Sequence, residues 1–221
     1  MGYAESVRAL QADLGAEMLP PALTYGCDNI RSRNRVAAHV LRERPDATHV
    51  LWWDDDQWPQ DTRIVRAMLA TGEDLIGAPY TSKLPPLRWV HQRLDDRPTD
   101  ERGVLEVRWV GFGFTLTSRA CLERMAAAAR PYADARAVGP NHPQRDCFGL
   151  LYYQPPGTDS PEEQVLLSED QSFCERWRIM GGRVMIYVRA GLVYHAGPHS
   201  WSALDIPHAV VRNAARQGRS R

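Results

Sequence analysis

The run Thr48-His49-Val50-Leu51-Trp52-Trp53 stops abruptly at three consecutive carboxylates, Asp54, Asp55 and Asp56. A short run of apolar, β-branched and aromatic residues predicts a buried strand. Carboxylates at the mouth of such a strand repel one another and are partly desolvated, a state that a cation relieves. Alternate residues of an extended chain share a face, so Asp54 and Asp56 can converge on one ligand while Asp55 points away. Oxygen donors of this kind suit Mg²⁺ or Mn²⁺. The same triplet is also compatible with a solvated acidic turn ahead of a helix near Asp61.

The flanking patterns place that strand in an alternating chain. Tyr3, Val7, Leu10, Leu14 and Met18 recur at steps of three and four and predict an amphipathic helix over 3–18, ended by Pro20-Pro21. A short strand over 22–25 follows, then a helix over about 30–44 with Val36, Val40 and Leu41 inward. After the triplet, Pro59 and Asp61 open a helix carrying Ile64, Val65, Met68 and Leu69. A strand is expected over 74–80, a loop over 84–103, and a long strand over 105–117 interrupted by Gly111 and Gly113. Residues 119–130 read as a helix, and the proline-rich stretch 131–167 as a long loop of the kind that shapes sites. A helix over 169–180, ended by Gly181-Gly182, and a strand over 183–194 complete the pattern. Strands alternating with helices predict an α/β class, a mixed sheet flanked by helices, with ligands gathering at the carboxyl ends of the strands.

Bulk charge narrows the partners. The 27 basic and 27 acidic side chains cancel, so no overall field favours nucleic acid or an anionic membrane. The basic stretch from Arg212 reads as a solvated tail over 206–221. Cys27, Cys121, Cys147 and Cys174 are widely spaced and predict reduced thiols in a cytoplasmic protein. No run reaches the roughly 18 apolar residues that span a bilayer, and the start of the chain has no signal-peptide pattern.

Four further constellations carry chemistry. In Ser168-Glu169-Asp170-Gln171, Ser168 and Gln171 form a capping box, which puts Asp170 in the first helical turn. There it is either a cap component or a general base. His195, in Tyr194-His195-Ala196-Gly197, is either structural or a third partner for two metal-binding carboxylates, with His199 a rival. Val110-Gly111-Phe112-Gly113-Phe114 marks a bulge or a close approach of backbone to ligand. Arg31-Ser32-Arg33-Asn34 is a basic cluster early in a helix, able to meet a diphosphate or to face solvent.

Taken in order over about 25–200, these pieces resemble a GT-A fold glycosyltransferase, in particular the inverting family 2 type. The resemblance rests on Ser32-Arg33-Asn34, the 48–56 run, Leu75-Ile76-Gly77-Ala78-Pro79-Tyr80, the Val110–Phe114 stretch, Ser168-Glu169-Asp170 and His195-Ala196-Gly197. It implies a single catalytic domain, with a nucleotide-sugar half over about 1–104 and an acceptor half over about 105–205. It implies Mn²⁺ or Mg²⁺ held by Asp54, Asp56 and His195. It gives Arg33, Asn34, Asp54, Asp55, Tyr80 and Lys83 to a donor nucleotide, a UDP- or GDP-sugar. Gly111, Phe112 and Gly113 fall on the sugar and acceptor side, Asp170 is the base, and Glu169 shares the acceptor site. One departure stands out: family members begin with a strand that contacts the base, and here the helical pattern starts at Tyr3. A nucleotidyltransferase and a transferase-like binding protein without turnover are the competing readings.

Overall fold

The computed structural model describes residues 2–22, 28–95, 98–135, 143–189 and 193–196. The elements run α1 (Tyr3–Leu14), α2 (Asn29–Glu43), β1 (His49–Trp53), β2 (Gln57–Pro59), α3 (Ile64–Ala70), β3 (Leu75–Gly77) and β4 (His91–Arg93). They continue with β5 (Val104–Val110), β6 (Phe114–Ser118), α4 (Arg119–Ala128), β7 (Pro131–Tyr132), β8 (Gln144–Arg145) and β9 (Leu151–Tyr153). The last are β10 (Val165–Leu167), α5 (Glu169–Ile179), β11 (Val184–Tyr187) and β12 (Val193–His195). Six strands form one mixed sheet in the order β1-β6-β3-β11-β5-β4, in which only β3 and β11 pair parallel.

Helices cover both faces of the sheet, and the period-two alternation of the strands decides which residue meets which layer. Val50 and Trp52, Leu75, Leu105 and Val107, and Val184 and Ile186 pack with α2, α4 and α5 through Ala37, Leu122, Met125, Phe173 and Trp177. Ile76, Phe114, Leu116 and Met185 pack on the other face with α1 and α3 through Leu10, Ile64, Val65 and Met68. Full burial of each such side chain contributes on the order of 1.5–3 kcal/mol, so the two apolar layers fix the sheet and thereby the loops at its rim. The helices facing the site begin at caps readable in the sequence. Asp28 accepts from the Arg31 amide at 2.8 Å, Ser118 from Cys121 at 3.0 Å, and Ser168 caps α5 with Gln171 reaching back to the Ser168 amide at 3.0 Å.

Several expectations are corrected. Helix α1 ends at Leu14, before Pro20-Pro21, followed by a 3-10 turn over Gly15–Glu17. The 48–53 run is an edge strand among the described residues, not one buried between neighbours, and Leu51 and Trp53 are only partly covered. Pro59 belongs to β2 rather than opening a helix, and α3 starts at Ile64. The 84–103 stretch contains β4, paired with β5. The long 105–117 strand is two strands, β5 and β6, which lie apart in the sheet with β3 and β11 between them. Gly111-Phe112-Gly113 is the crossing, and its lack of bulk is required. A Cβ on Gly111 would lie 2.2 Å from the Tyr80 hydroxyl, and one on Gly113 would lie 1.8 Å from Gln57 Nε2. The 183–194 strand likewise divides into β11 in the sheet and β12, which pairs with β2. The 131–167 stretch holds β7–β8 and β9–β10 ribbons, its prolines falling mostly between strands where no ladder donor is lost. The strand expected over 22–25 lies largely outside the described residues, as do Cys27, His199, Gly197 and the 206–221 tail. No helix among the described residues is long and apolar enough to cross a membrane.

Candidate active site

The acidic triplet leaves β1 beside the Gly111–Gly113 crossing, with the Asp54 amide donating to the Gly113 carbonyl at 3.0 Å. Asp54 and Asp56 are half-buried and Asp55 is exposed, but the strand ends at Trp53 and the chain turns here, the Gln57 amide donating to the Asp54 carbonyl at 3.2 Å, so the two carboxylates do not share the face of an extended strand. The two inward carboxylates face different cations. Asp54 Oδ1 lies 3.5 Å from Arg33 Nη2, and Asp56 pairs with Lys83 and lies 3.7 Å from His195 Nε2.

Arg33 is the electrostatic centre. Its guanidinium meets Asp170, Glu169 Oε1 at 3.1 Å, and Asp54, and it stacks near the rings of Phe112 and Phe148 at 5.6 and 5.9 Å. The side chain is only 8% exposed. Burial opposes its charge, but the carboxylates of Asp170, Asp54 and Glu169 outweigh burial and hold its pKa above the usual value. Asn29 Nδ2 donates to Glu169 Oε1 at 3.1 Å, so two residues one turn apart on α2 fasten α2 to the start of α5. Asn34 faces elsewhere: its Nδ2 donates to Asp146 at 3.1 Å, and its Oδ1 accepts from the Phe148 amide at 3.0 Å.

Asp170 is the most perturbed carboxylate at the site. Its Oδ2 accepts from the Phe112 amide at 3.1 Å and its Oδ1 meets Arg33, yet its pKa is pushed up to about 6. Burial is the largest cause. The neighbouring charges of Glu169 and Asp54 add to it, while Arg33 and the Phe112 N–H oppose it. The side chain remains 18% exposed. Burial also raises the pKa of Asp54, Arg33 lowers it and Asp56 raises it. Tyr80 is buried. Its hydroxyl accepts from the Gly113 amide at 3.1 Å, and burial holds the phenol neutral.

His195 reaches the triplet because β12 pairs with β2, which sets His195 opposite Gln57, and the Ala196 amide donates to the Asp56 carbonyl at 2.7 Å. Its Nδ1 lies 2.6 Å from the Thr81 carbonyl. A carbonyl only accepts, so Nδ1 carries a hydrogen, and Nε2 is the ring nitrogen that faces Asp56. Asp56 Oδ1 and His195 Nε2 face each other at 3.7 Å, and Lys83 supplies a cation on the other oxygen of the same carboxylate.

The ligand trio expected from the sequence is not assembled as such. Among the described residues no three His, Cys, Asp or Glu side chains come together to hold a metal, and Asp54 turns toward Arg33 rather than toward Asp56 and His195. Asp56 and His195 alone still fit Mn²⁺ or Mg²⁺ chemically. Such ions are commonly held by one or two protein ligands and complete their shell with water and phosphate oxygens. Lys83 competes for the same carboxylate.

Sequence reasoning missed Gln57, Thr81, Asp146 and Asn29. Gln57 Oε1 and Thr81 Oγ1 are buried without a hydrogen-bond partner beside the triplet. Neither carries a motif, and nothing in the spacing signals them. Asn29 was legible only as the residue after a capping aspartate.

No protein-family model matches the chain, and no curated protein matches it. Among solved structures, one titled "Crystal Structure of A197 from STIV" is similar at 18% identity with a TM-score of 0.49, over 86% of this chain and 78% of that one.

Proposed function

We propose that the chain is a metal-dependent glycosyltransferase that moves a sugar from a nucleotide-sugar, a UDP- or GDP-sugar, to an acceptor hydroxyl or amine with inversion. The observation that supports this reading best is the convergence of Asp54, Glu169 and Asp170 on the buried Arg33 beneath the Phe112 amide. Segments distant in sequence meet there around one carboxylate whose pKa, about 6, suits a base working near neutrality.

In this reading Asp170 takes the proton of the acceptor group as its oxygen or nitrogen attacks the anomeric carbon. The bond from that carbon to the phosphate oxygen breaks, and the nucleoside diphosphate leaves with the electron pair. Each Asp170 oxygen keeps a lone pair beyond its bond to Arg33 or Phe112. Arg33 keeps the carboxylate oriented and ionised, and Glu169 narrows the acceptor side. Asp54 and Asp55 face the donor nucleotide, with Asn34 and Tyr80 bracing the walls. Asp56 and His195 would hold Mn²⁺ or Mg²⁺, which supplies stabilisation of negative charge on the departing diphosphate. Lys83, released from Asp56, is placed to pair with the same phosphates.

A panel of nucleotide-sugars with Mn²⁺ tests the proposal. Release of nucleoside diphosphate, with NMR showing the anomeric configuration inverted in the product, is the expected result. Release of pyrophosphate from a nucleoside triphosphate supplied together with a sugar 1-phosphate would instead make the chain a nucleotidyltransferase. Binding without any release would favour a binding protein, a reading to which the internal pairing of Arg33 and Lys83 with the carboxylates gives some weight.

A further inference from the structure

The Phe112 amide that meets Asp170 belongs to a peptide held at both ends. That peptide joins Gly111 to Phe112 and is trans, so its carbonyl and its N–H point in opposite directions within one rigid plane. At one end the Phe112 N–H donates to Asp170 Oδ2 at 3.1 Å. At the other the Gly111 carbonyl accepts from Thr115 Oγ1 at 2.8 Å. Whatever fixes the carbonyl therefore fixes the direction of the N–H.

The other bonds of the crossing leave that task to Thr115. The Gly111 amide donates to the Val90 carbonyl at 2.9 Å, the Gly113 amide to the Tyr80 hydroxyl at 3.1 Å, and the Gly113 carbonyl accepts from the Asp54 amide at 3.0 Å. All three lie on neighbouring peptide planes, and Gly111, without a Cβ, lets the plane that follows it turn freely. Space is made for the hydroxyl. Thr115 stands in β6 opposite Gly77 of β3, where a Cβ on Gly77 would lie 2.7 Å from Thr115 Oγ1. Thr115 is fully buried between Phe114 and Leu116 in the strand. A hydroxyl in such a place costs free energy unless it is bonded, and the bond it makes is to the Gly111 carbonyl.

We infer that Thr115 is a positioning residue for Asp170: its hydroxyl holds the Gly111–Phe112 peptide so that the Phe112 N–H stays aimed at the carboxylate. The value of that aim for catalysis rests on the transferase reading, in which Asp170 is the base; the hydrogen-bonded arrangement itself does not. The Phe112 N–H favours the ionised carboxyl, as Arg33 of α2 does, while Glu169 on α5 itself and Asp54 after β1 oppose it. A substitution at Thr115 alters none of these three charged groups, so a change at Asp170 reports the peptide.

The test is NMR of the isotope-labelled full chain. The native chain should show scalar coupling across the hydrogen bond from the Phe112 amide nitrogen to the Asp170 carboxyl carbon, and a Phe112 amide signal that follows the Asp170 titration at about 6. Thr115→Val and Thr115→Ala should each abolish the coupling, speed exchange of the Phe112 amide and move the titration upward by roughly half a pH unit, the partial loss of one hydrogen bond to a charged group. Thr115→Ser returns the hydroxyl and should restore all of these signals. Thr117→Val is the matched control, because it removes a hydroxyl as deeply buried in the same strand but bonded to the Trp52 indole. It should lower stability and leave the Phe112 and Asp170 signals as in the native chain. In transfer from a nucleotide-sugar that the native chain turns over, Thr115→Val should lower kcat about tenfold or more at unchanged donor KM. Coupling absent from the native chain, retained in both Thr115 variants, or lost equally in Thr117→Val overturns the inference. If the NMR results hold while the native chain releases no nucleoside diphosphate from any UDP- or GDP-sugar, the positioning role stands and the transferase reading falls.

Discussion

Replacing Asp170 by asparagine pits the stability of the fold against the chemistry proposed for it. In the native chain this carboxyl titrates near 6 instead of 3.8. Each unit is worth about 1.36 kcal/mol, so at neutral pH the ionised group is about 3 kcal/mol less favourable in the fold than in water. The sign follows from proton binding. Between pH 4 and 6 the native state holds a proton that the unfolded chain has released, so stability contributed by this group falls as pH rises through that window. Asparagine removes the charge as protonation does and keeps an oxygen for the Phe112 amide, but its NH2 group then faces the Arg33 guanidinium, a donor against a donor. Asp170→Asn should therefore raise unfolding free energy by about 1–3 kcal/mol at pH 7.5, less than the full shift because the asparagine NH2 group cannot accept from Arg33. That is roughly 2–12 °C in Tm for a domain of this size. The gain should shrink to about 1 kcal/mol or less at pH 4.5. Urea titrations at the two pH values measure both numbers. A variant less stable than the native chain at pH 7.5, or a difference that does not change with pH, would refute the reasoning. On the proposed function the same variant should bind donor normally and lose about 10²–10⁴-fold in transfer; near-normal turnover would mean another base.

Arg33→Met removes the cation shared by Asp54, Glu169 and Asp170. It should cost about 3–5 kcal/mol and move the Asp170 titration, followed by carboxyl carbon NMR, above its present value; a downward move would contradict the assigned role. Asp56→Ala should abolish Mn²⁺-dependent nucleotide binding measured by calorimetry, and unchanged affinity would remove Asp56 as a ligand. Gly111→Ala forces a methyl group into the space of the buried Tyr80 hydroxyl. Overpacking of this kind costs about 1–3 kcal/mol, and chemical denaturation showing no loss would mean the crossing is looser than drawn. Thr117→Val strips the acceptor from the buried Trp52 indole N–H, now bonded at 2.9 Å. Denaturation should show a loss of about 1–3 kcal/mol.

The acidic triplet was legible in the sequence because it is local, and Asp54 and Asp56 turn inward while Asp55 faces solvent; what sets that pattern is a turn, closed by the Gln57 amide on the Asp54 carbonyl, rather than strand alternation. Helix α5 and its Ser168–Gln171 capping box were legible for the same reason, since a cap is satisfied within four residues. The alternation of apolar runs also set the α/β class. Tertiary structure alone decided where strands divide. Residues 105–117 read as one strand because each half has strand character, but β5 and β6 find their partners on either side of β3 and β11. Strand pairing is a contest between distant segments that no local pattern records. The same holds for charge. In sequence Arg33 was one of several basic residues on a helix; in the fold it stands 137 positions from Asp170 along the chain and against it in space. That contact, made only when α2 closes on α5, opposes the effect of burial on Asp170, and the same guanidinium draws Asp54 away from the ligand trio that the family resemblance implied.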